Sequence, residues 1–138
     1  MTDSNYDKRL NALITQDSRY PEQAYYFVAD AVSYTIKQRD ANDASAGSHV
    51  SGGELLDGLR NYALEQFGPL ALDVLAEWGI TRTEDFGNIV FNMIEHRLLG
   101  KSDSDTRDDF ANGYDFRQAF LRPFVEERDP PDSPQQIA

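Results

Sequence analysis

Apolar residues recur at helical spacing along most of the chain. Tyr6, Leu10, Leu13 and Ile14 share one face, which predicts a short amphipathic helix ending near Gln16. Asp17, Ser18, Arg19 and Tyr20 read as a connector. Pro21 suits a first helical turn, where a missing N–H costs nothing. Ala24, Tyr25, Val28, Ala31, Val32, Thr35 and Ile36 then hold one stripe for over three turns. Phe27 and Tyr34 lie off that stripe and predict a helix covered on more than one side. Residues 39–48 are small and polar and read as a loop, followed by a short extended rung at His49-Val50.

The densest apolar patterning lies between His49 and Lys101. Ser51 and Glu54 match a capping box, in which serine and glutamate satisfy each other's backbone N–H. Leu55, Leu56, Leu59, Tyr62, Ala63 and Phe67 continue as one stripe. Gly68 can take the left-handed conformation that ends a helix, and Pro69 can open the next. Leu70, Ala71, Val74, Leu75 and Trp78 follow at helical spacing, with Gly79 as the stop and Ile80 placed to pack back. Thr81 and Thr83 compete as the next cap, and Glu84 and Asp85 put negative charge where the helix dipole favours it. Phe86, Ile89, Val90, Met93 and Ile94 carry this helix to His96 or Arg97, where Leu98-Leu99 leaves it.

Residues 101–113 are polar, acidic and turn-rich, and Asn112-Gly113 is a good turn pair. The next segment fits two patterns. Alternation of Tyr114, Phe116 and Phe120 suggests a strand, whereas Phe116, Ala119, Phe120 and Phe124 suit a helix; the strand is preferred. From Glu126 the chain is proline-rich and polar and reads as a disordered tail. The expected organisation is one globular domain over residues 1–125 with a tail over 126–138.

Two architectures fit this order. One is mainly α (α+β), a winged helix-turn-helix-like arrangement with a small β-hairpin. Trp78 to Thr81 would form its turn, residues 84–97 the recognition-type helix, Leu98-Leu99 the first wing strand and residues 114–120 the second. The alternative is a compact all-α bundle with an acidic loop.

Composition narrows the chemistry. The 138 residues are 40% hydrophobic and 12% aromatic, enough to build a core without staples. Cysteine is absent, so disulfides, thiolate metal sites and cysteine nucleophiles are excluded. No apolar run approaches a membrane span, and the first ten residues lack an apolar signal core, so a cytoplasmic protein is expected. A net charge of −11 repels nucleic-acid phosphate and anionic membranes.

Candidate chemistry is sparse. His49 and His96 are the only imidazoles, and no zinc-type histidine spacing exists. A structural role for each is preferred over catalysis by His49 with carboxylates. Asp103, Asp105, Asp108 and Asp109 resemble a calcium loop superficially. An EF-hand, however, needs glycine and glutamate where Asp108 and Tyr114 stand. Ser51-Gly52-Gly53 offers backbone N–H groups to an anion, but no lysine follows and Glu54 opposes one. For a nucleic-acid-binding winged helix the contacts would be Arg82, Arg97, Lys101 and Arg107. The Glu84-Asp85 start and the acidic wing argue against that reading.

The runs HVSGGELLDGLRNYALEQFGPLALDVLAEWGI, TEDFGNIVFNMIE, LLGKSDSDTRDDF and YDFRQAF resemble a family of uncharacterised conserved bacterial proteins frequent in planctomycetes. The likeness spans about Tyr20 to Phe124, and YALEQFGP with WGI and TEDFG makes it specific. It implies a bacterial protein and transfers no activity. Dense aromatic content without any catalytic spacing points to a non-enzymatic protein-interaction or regulatory module. No catalytic residue, metal or cofactor is assigned, and a protein partner or a homo-oligomer is expected.

Overall fold

The computed structural model describes residues 4–42, 50–100 and 107–124. Its elements are α1 (Ser4–Gln16), α2 (Glu22–Asn42), α3 (Gly52–Phe67), a 3-10 turn (Gly68–Leu70), α4 (Ala71–Glu77) and α5 (Thr83–Glu95). A 3-10 turn at Arg107–Phe110 and a π-helical turn at Arg117–Leu121 follow. The protein is mainly α-helical, and no strand forms among the described residues. His49, Lys101, Asp103, Asp105 and the expected tail 126–138 lie outside those residues.

The helix limits follow local chemistry. Ser51 Oγ accepts from the Glu54 N–H at 3.1 Å, and the Ser51 N–H donates to Glu54 Oε1 at 3.1 Å, completing the expected capping box. Gly79 takes φ 80°, whereas Gly68 ends α3 at φ 53° and ψ −131°, outside the expected left-handed helical region but in a conformation that favours glycine. The Ile80 N–H reaches back to Leu75 O at 2.9 Å, which turns the buried Ile80 onto the core.

Four expectations are corrected. The loop assigned to 39–48 begins later, because α2 runs through Asn42 and Arg39 Nη1 lies 3.7 Å from Glu54 Oε1 on α3. Neither threonine caps α5. Arg82 holds the cap position without a side-chain bond, and Asp85 Oδ2 instead accepts from the Thr81 N–H at 2.9 Å. Thr83 lies inside the helix, where its hydroxyl accepts from the Gly113 N–H at 3.0 Å.

The wing hairpin is the other pair of corrections. Helix α5 stops at Glu95, Arg97 takes φ 59°, and the Leu98 N–H closes onto Met93 O at 2.7 Å. This six-to-one closure ties Leu98-Leu99 to the helix end, so no first strand departs. Residues 114–120 then have no strand among the described residues to complete a ladder, and an unpaired strand would leave its backbone polar groups unsatisfied. They turn helical instead. The Ala119 N–H donates to Asp115 O at 2.9 Å and the Arg122 N–H to Arg117 O at 3.0 Å. Phe116, Ala119 and Phe120 are buried, so the helical spacing prevailed over the alternating one.

Helix α5 is the centre of the bundle. Phe86, Ile89 and Met93 are fully buried, and Phe91 and Val90 nearly so, which covers the helix on several sides. Helices α1 and α2 pack on it, and the 107–110 turn closes another side with Phe110. Helix α3 packs along α2 at close range, because Gly58 faces Thr35 and any added Cβ would lie 2.8 Å from the Thr35 Cβ.

Candidate functional site

Two constellations remain once the core is accounted for. The first is a polar seam along α5. Asp85, Asn88, Asn92 and His96 recur at spacings of three and four, so they line one edge of an otherwise apolar helix. That edge faces the connector between α1 and α2. The buried Tyr20 hydroxyl donates to Asp85 Oδ1 at 2.6 Å and accepts from Asn88 Nδ2 at 3.0 Å. Asn92 Nδ2 donates to Asp17 Oδ2 at 3.0 Å and to the Tyr25 hydroxyl at 3.2 Å. His96 Nδ1 faces Asn92 O at 3.0 Å, and Nε2 lies 3.1 Å from Gln16 Oε1. A carbonyl oxygen only accepts, so Nδ1 is the donor in that pair.

The electrostatics of the seam follow from these contacts. Hydrogen bonds from the Arg19 guanidinium hold the Asp17 carboxyl well below the usual carboxylate range, with the Asn92 amide adding to the effect. Burial, reinforced by the bond to the Asp85 carboxylate, pushes the Tyr20 phenol up to about 12. A phenol so shifted stays protonated near neutral pH and serves as a donor rather than as a base or nucleophile. The seam consists of two hydrogen-bonded clusters, one around Tyr20 and Asp85 and one around Asp17 and Asn92, that both tie the connector to α5. Its sequence signal is the polar file at 85, 88, 92 and 96, which the search for an apolar stripe passes over.

The residues singled out in the sequence do not converge. Arg82 and Arg97 stand at opposite ends of α5, exposed. Their fifteen-residue separation corresponds to about 22 Å of helix at 1.5 Å per residue. Arg107 Nη1 donates to Asn88 Oδ1 at 3.0 Å and its guanidinium lies 5.3 Å from the Phe91 ring centre. Asp108 and Asp109 are exposed on the 107–110 turn. At the start of α3, the Asp109 side chain crowds the space beside Gly52, where an added Cβ would meet its Cβ at 2.5 Å. Glu54 and Asp109 thus put carboxylates where an anion would have to sit. Among the described residues, no three His, Asp or Glu side chains gather as metal ligands.

The second constellation is a row of aromatic rings. Tyr34 and Tyr62 lie 5.1 Å apart, Tyr62 and Phe27 5.4 Å, and Phe27 and Trp78 5.7 Å. Phe67 fills the corner, 5.7 Å from Phe27 and 5.8 Å from Trp78. Phe27 is buried, whereas Tyr34, Tyr62, Phe67 and Trp78 are each half-buried. The row therefore crosses from α2 over α3 to the end of α4 with four of its five rings only half-buried. Two exposed carboxylates border it. Glu65 stands three residues after Tyr62 on α3 and Asp30 four before Tyr34 on α2; Glu65 acts on both tyrosines and Asp30 on Tyr62. Burial first raises both phenols, followed by Glu65 at Tyr34 and by Asp30 and Glu65 at Tyr62.

The aromatics of the C-terminal segment differ. Phe110, Phe116 and Phe120 are buried, and the Tyr114 hydroxyl donates to Leu56 O at 2.8 Å. Only Phe124, at 43% exposure, is open there among the described residues. The row of half-buried rings thus lies on α2, α3 and α4, while Phe110, Phe116 and Phe120 are buried. Its sequence signal was the pair Phe27 and Tyr34, seven residues apart and off the main stripe of α2. No helix among the described residues is long and apolar enough to cross a membrane. Compared with family models, curated proteins and solved structures, the chain matches none.

Proposed function

We propose that this protein is a non-enzymatic interaction or regulatory module whose contact surface is the aromatic row from Tyr34 to Trp78. The carrying observation is that two ring pairs, Tyr34–Tyr62 and Phe67–Trp78, joined through the buried Phe27, stay only half-buried on the face formed by α2, α3 and α4. Tyrosine and tryptophan suit such a surface, because each brings a large rigid contact area with a polar tip that tolerates water before binding. The polar seam supports the same reading from the other side. Its titratable groups are engaged with one another and hold the fold together, which leaves the rings as the feature without a folding role on their outer side.

The test places a photo-crosslinking residue at position 34 or 62 in the source cells, with position 118 as a control on the exposed π-helical turn. Discrete crosslinked species are expected from 34 and 62 and not from 118. Equal crosslinking at all three positions, or none at 34 and 62, overturns the proposal.

A further inference from the structure

Resting on the contact surface just proposed, we infer that its occupant is a basic amphipathic helix of a partner protein, seated with its apolar side on the rings and its cations on the flanking carboxylates. The steps from Tyr34 through Tyr62 and Phe27 to Trp78 match about 15 Å, or roughly ten residues, of a partner helix. Such a segment presents apolar side chains at positions three and four apart, as helix-in-groove recognition requires.

Charge selects among occupants. Asp30 and Glu65 are exposed, Asp30 one helical turn before Tyr34 on α2 and Glu65 one turn after Tyr62 on α3, so both stand beside the row. The acidic border continues past the row on α1 and α2. Asp30 also acts on Tyr6, and Asp7 and Glu22 act on Tyr26, which is 39% exposed. Arg9 stands at the Tyr6 end of this border. A second copy of the chain would bring the same carboxylates face to face, on top of a net charge of −11 on each copy. Nucleic acid and anionic lipid meet the same repulsion. A lysine- or arginine-bearing helix meets attraction along the border and apolar contact along the row. Arginine and lysine stems add further contact over the rings.

The experiment uses the full chain and three synthetic eighteen-residue peptides. One carries leucine on one helical face and lysine on the other, one replaces lysine with glutamate, and one replaces leucine with serine but keeps lysine. Trp78, the single tryptophan, ends the row and reports binding through its emission. The leucine–lysine peptide is expected to shift that emission at one-to-one stoichiometry. It should bind at least about tenfold more tightly than either control, and more weakly as salt rises. Tyr62→Ala, checked for native helicity by circular dichroism, should weaken it about tenfold. The exposed double substitution Asp30→Lys/Glu65→Lys should reverse the preference toward the leucine–glutamate peptide.

If the serine–lysine peptide binds as well, or if Tyr62→Ala leaves affinity unchanged, the attraction is general and the inference fails. If both leucine peptides bind equally and Tyr62→Ala weakens both, the row is a contact surface without charge preference. The partner inference then fails while the proposed function stands. If no peptide moves Trp78 and positions 34 and 62 yield no crosslink, both fail together.

Discussion

Asp85→Asn isolates the junction of the Tyr20 cluster in the seam. The carboxylate uses its two oxygens separately: Oδ1 accepts from the Tyr20 hydroxyl at 2.6 Å, and Oδ2 accepts from the Thr81 N–H at 2.9 Å. An asparagine of the same shape keeps one acceptor and turns an NH2 toward a second donor. Tyr20 cannot escape by reversing its role, because its oxygen already accepts from Asn88 Nδ2 and its proton would then lack an acceptor. One charge-assisted hydrogen bond is lost, at about 1.5–3 kcal/mol. Removing a negative charge from the first turn of α5 adds about 0.3–1 kcal/mol. The expected loss is about 2–4 kcal/mol, or a fall in Tm of about 6–20 °C for a domain of this size. Urea unfolding followed by Trp78 emission measures it, with the slope unchanged if only stability moves. In a Tyr20→Phe background the phenyl edge offers no donor, so the cost of Asp85→Asn should fall by about 1 kcal/mol or more. A cost below about 0.5 kcal/mol, or equal costs in both backgrounds, would refute the geometry of the network.

Further outcomes follow from other contacts. Ser51→Ala removes the acceptor of the Glu54 N–H and should lower stability by about 1 kcal/mol in the same urea assay. Gly58→Ala should destabilise by about 1–3 kcal/mol, less the helix-propensity gain, because the new methyl meets Thr35. Gly53→Ala, with nothing within 4 Å of its added Cβ, should be neutral or stabilising and serves as its control. The Asp17 carboxyl is held below its ordinary value of 3.8 in the folded state. Its contribution is therefore complete above that pH and is lost as the pH falls toward the lower folded value. The difference in urea midpoint between wild type and Asp17→Asn should be present at pH 6 and shrink as the pH is lowered below about 4; an unchanged difference would contradict it.

Local chemistry alone determined much of this protein. The start of α3 was set by Ser51 and Glu54, and its end by Gly68, whose positive φ favours glycine, because such signals depend on neighbours within a few residues. The helical stripes of α1, α2, α3 and α5 followed from residue spacing, since a helix closes its own hydrogen bonds. The conformation of 114–120 was a different matter. A strand needs a distant partner, and whether Leu98-Leu99 would supply one turned on the closure of Leu98 onto Met93. Once that bond formed, burial of Phe116, Ala119 and Phe120 decided in favour of the helical turn. The candidate surfaces were likewise a tertiary outcome. Phe27, Tyr34, Tyr62, Phe67 and Trp78 are spread over fifty residues and become one row only when α2, α3 and α4 pack together. The same holds for Tyr20 and Asp85, which meet only because the connector folds onto α5. Sequence spacing fixes which side of a helix a residue occupies; which sides stay open is settled by how the helices cover one another.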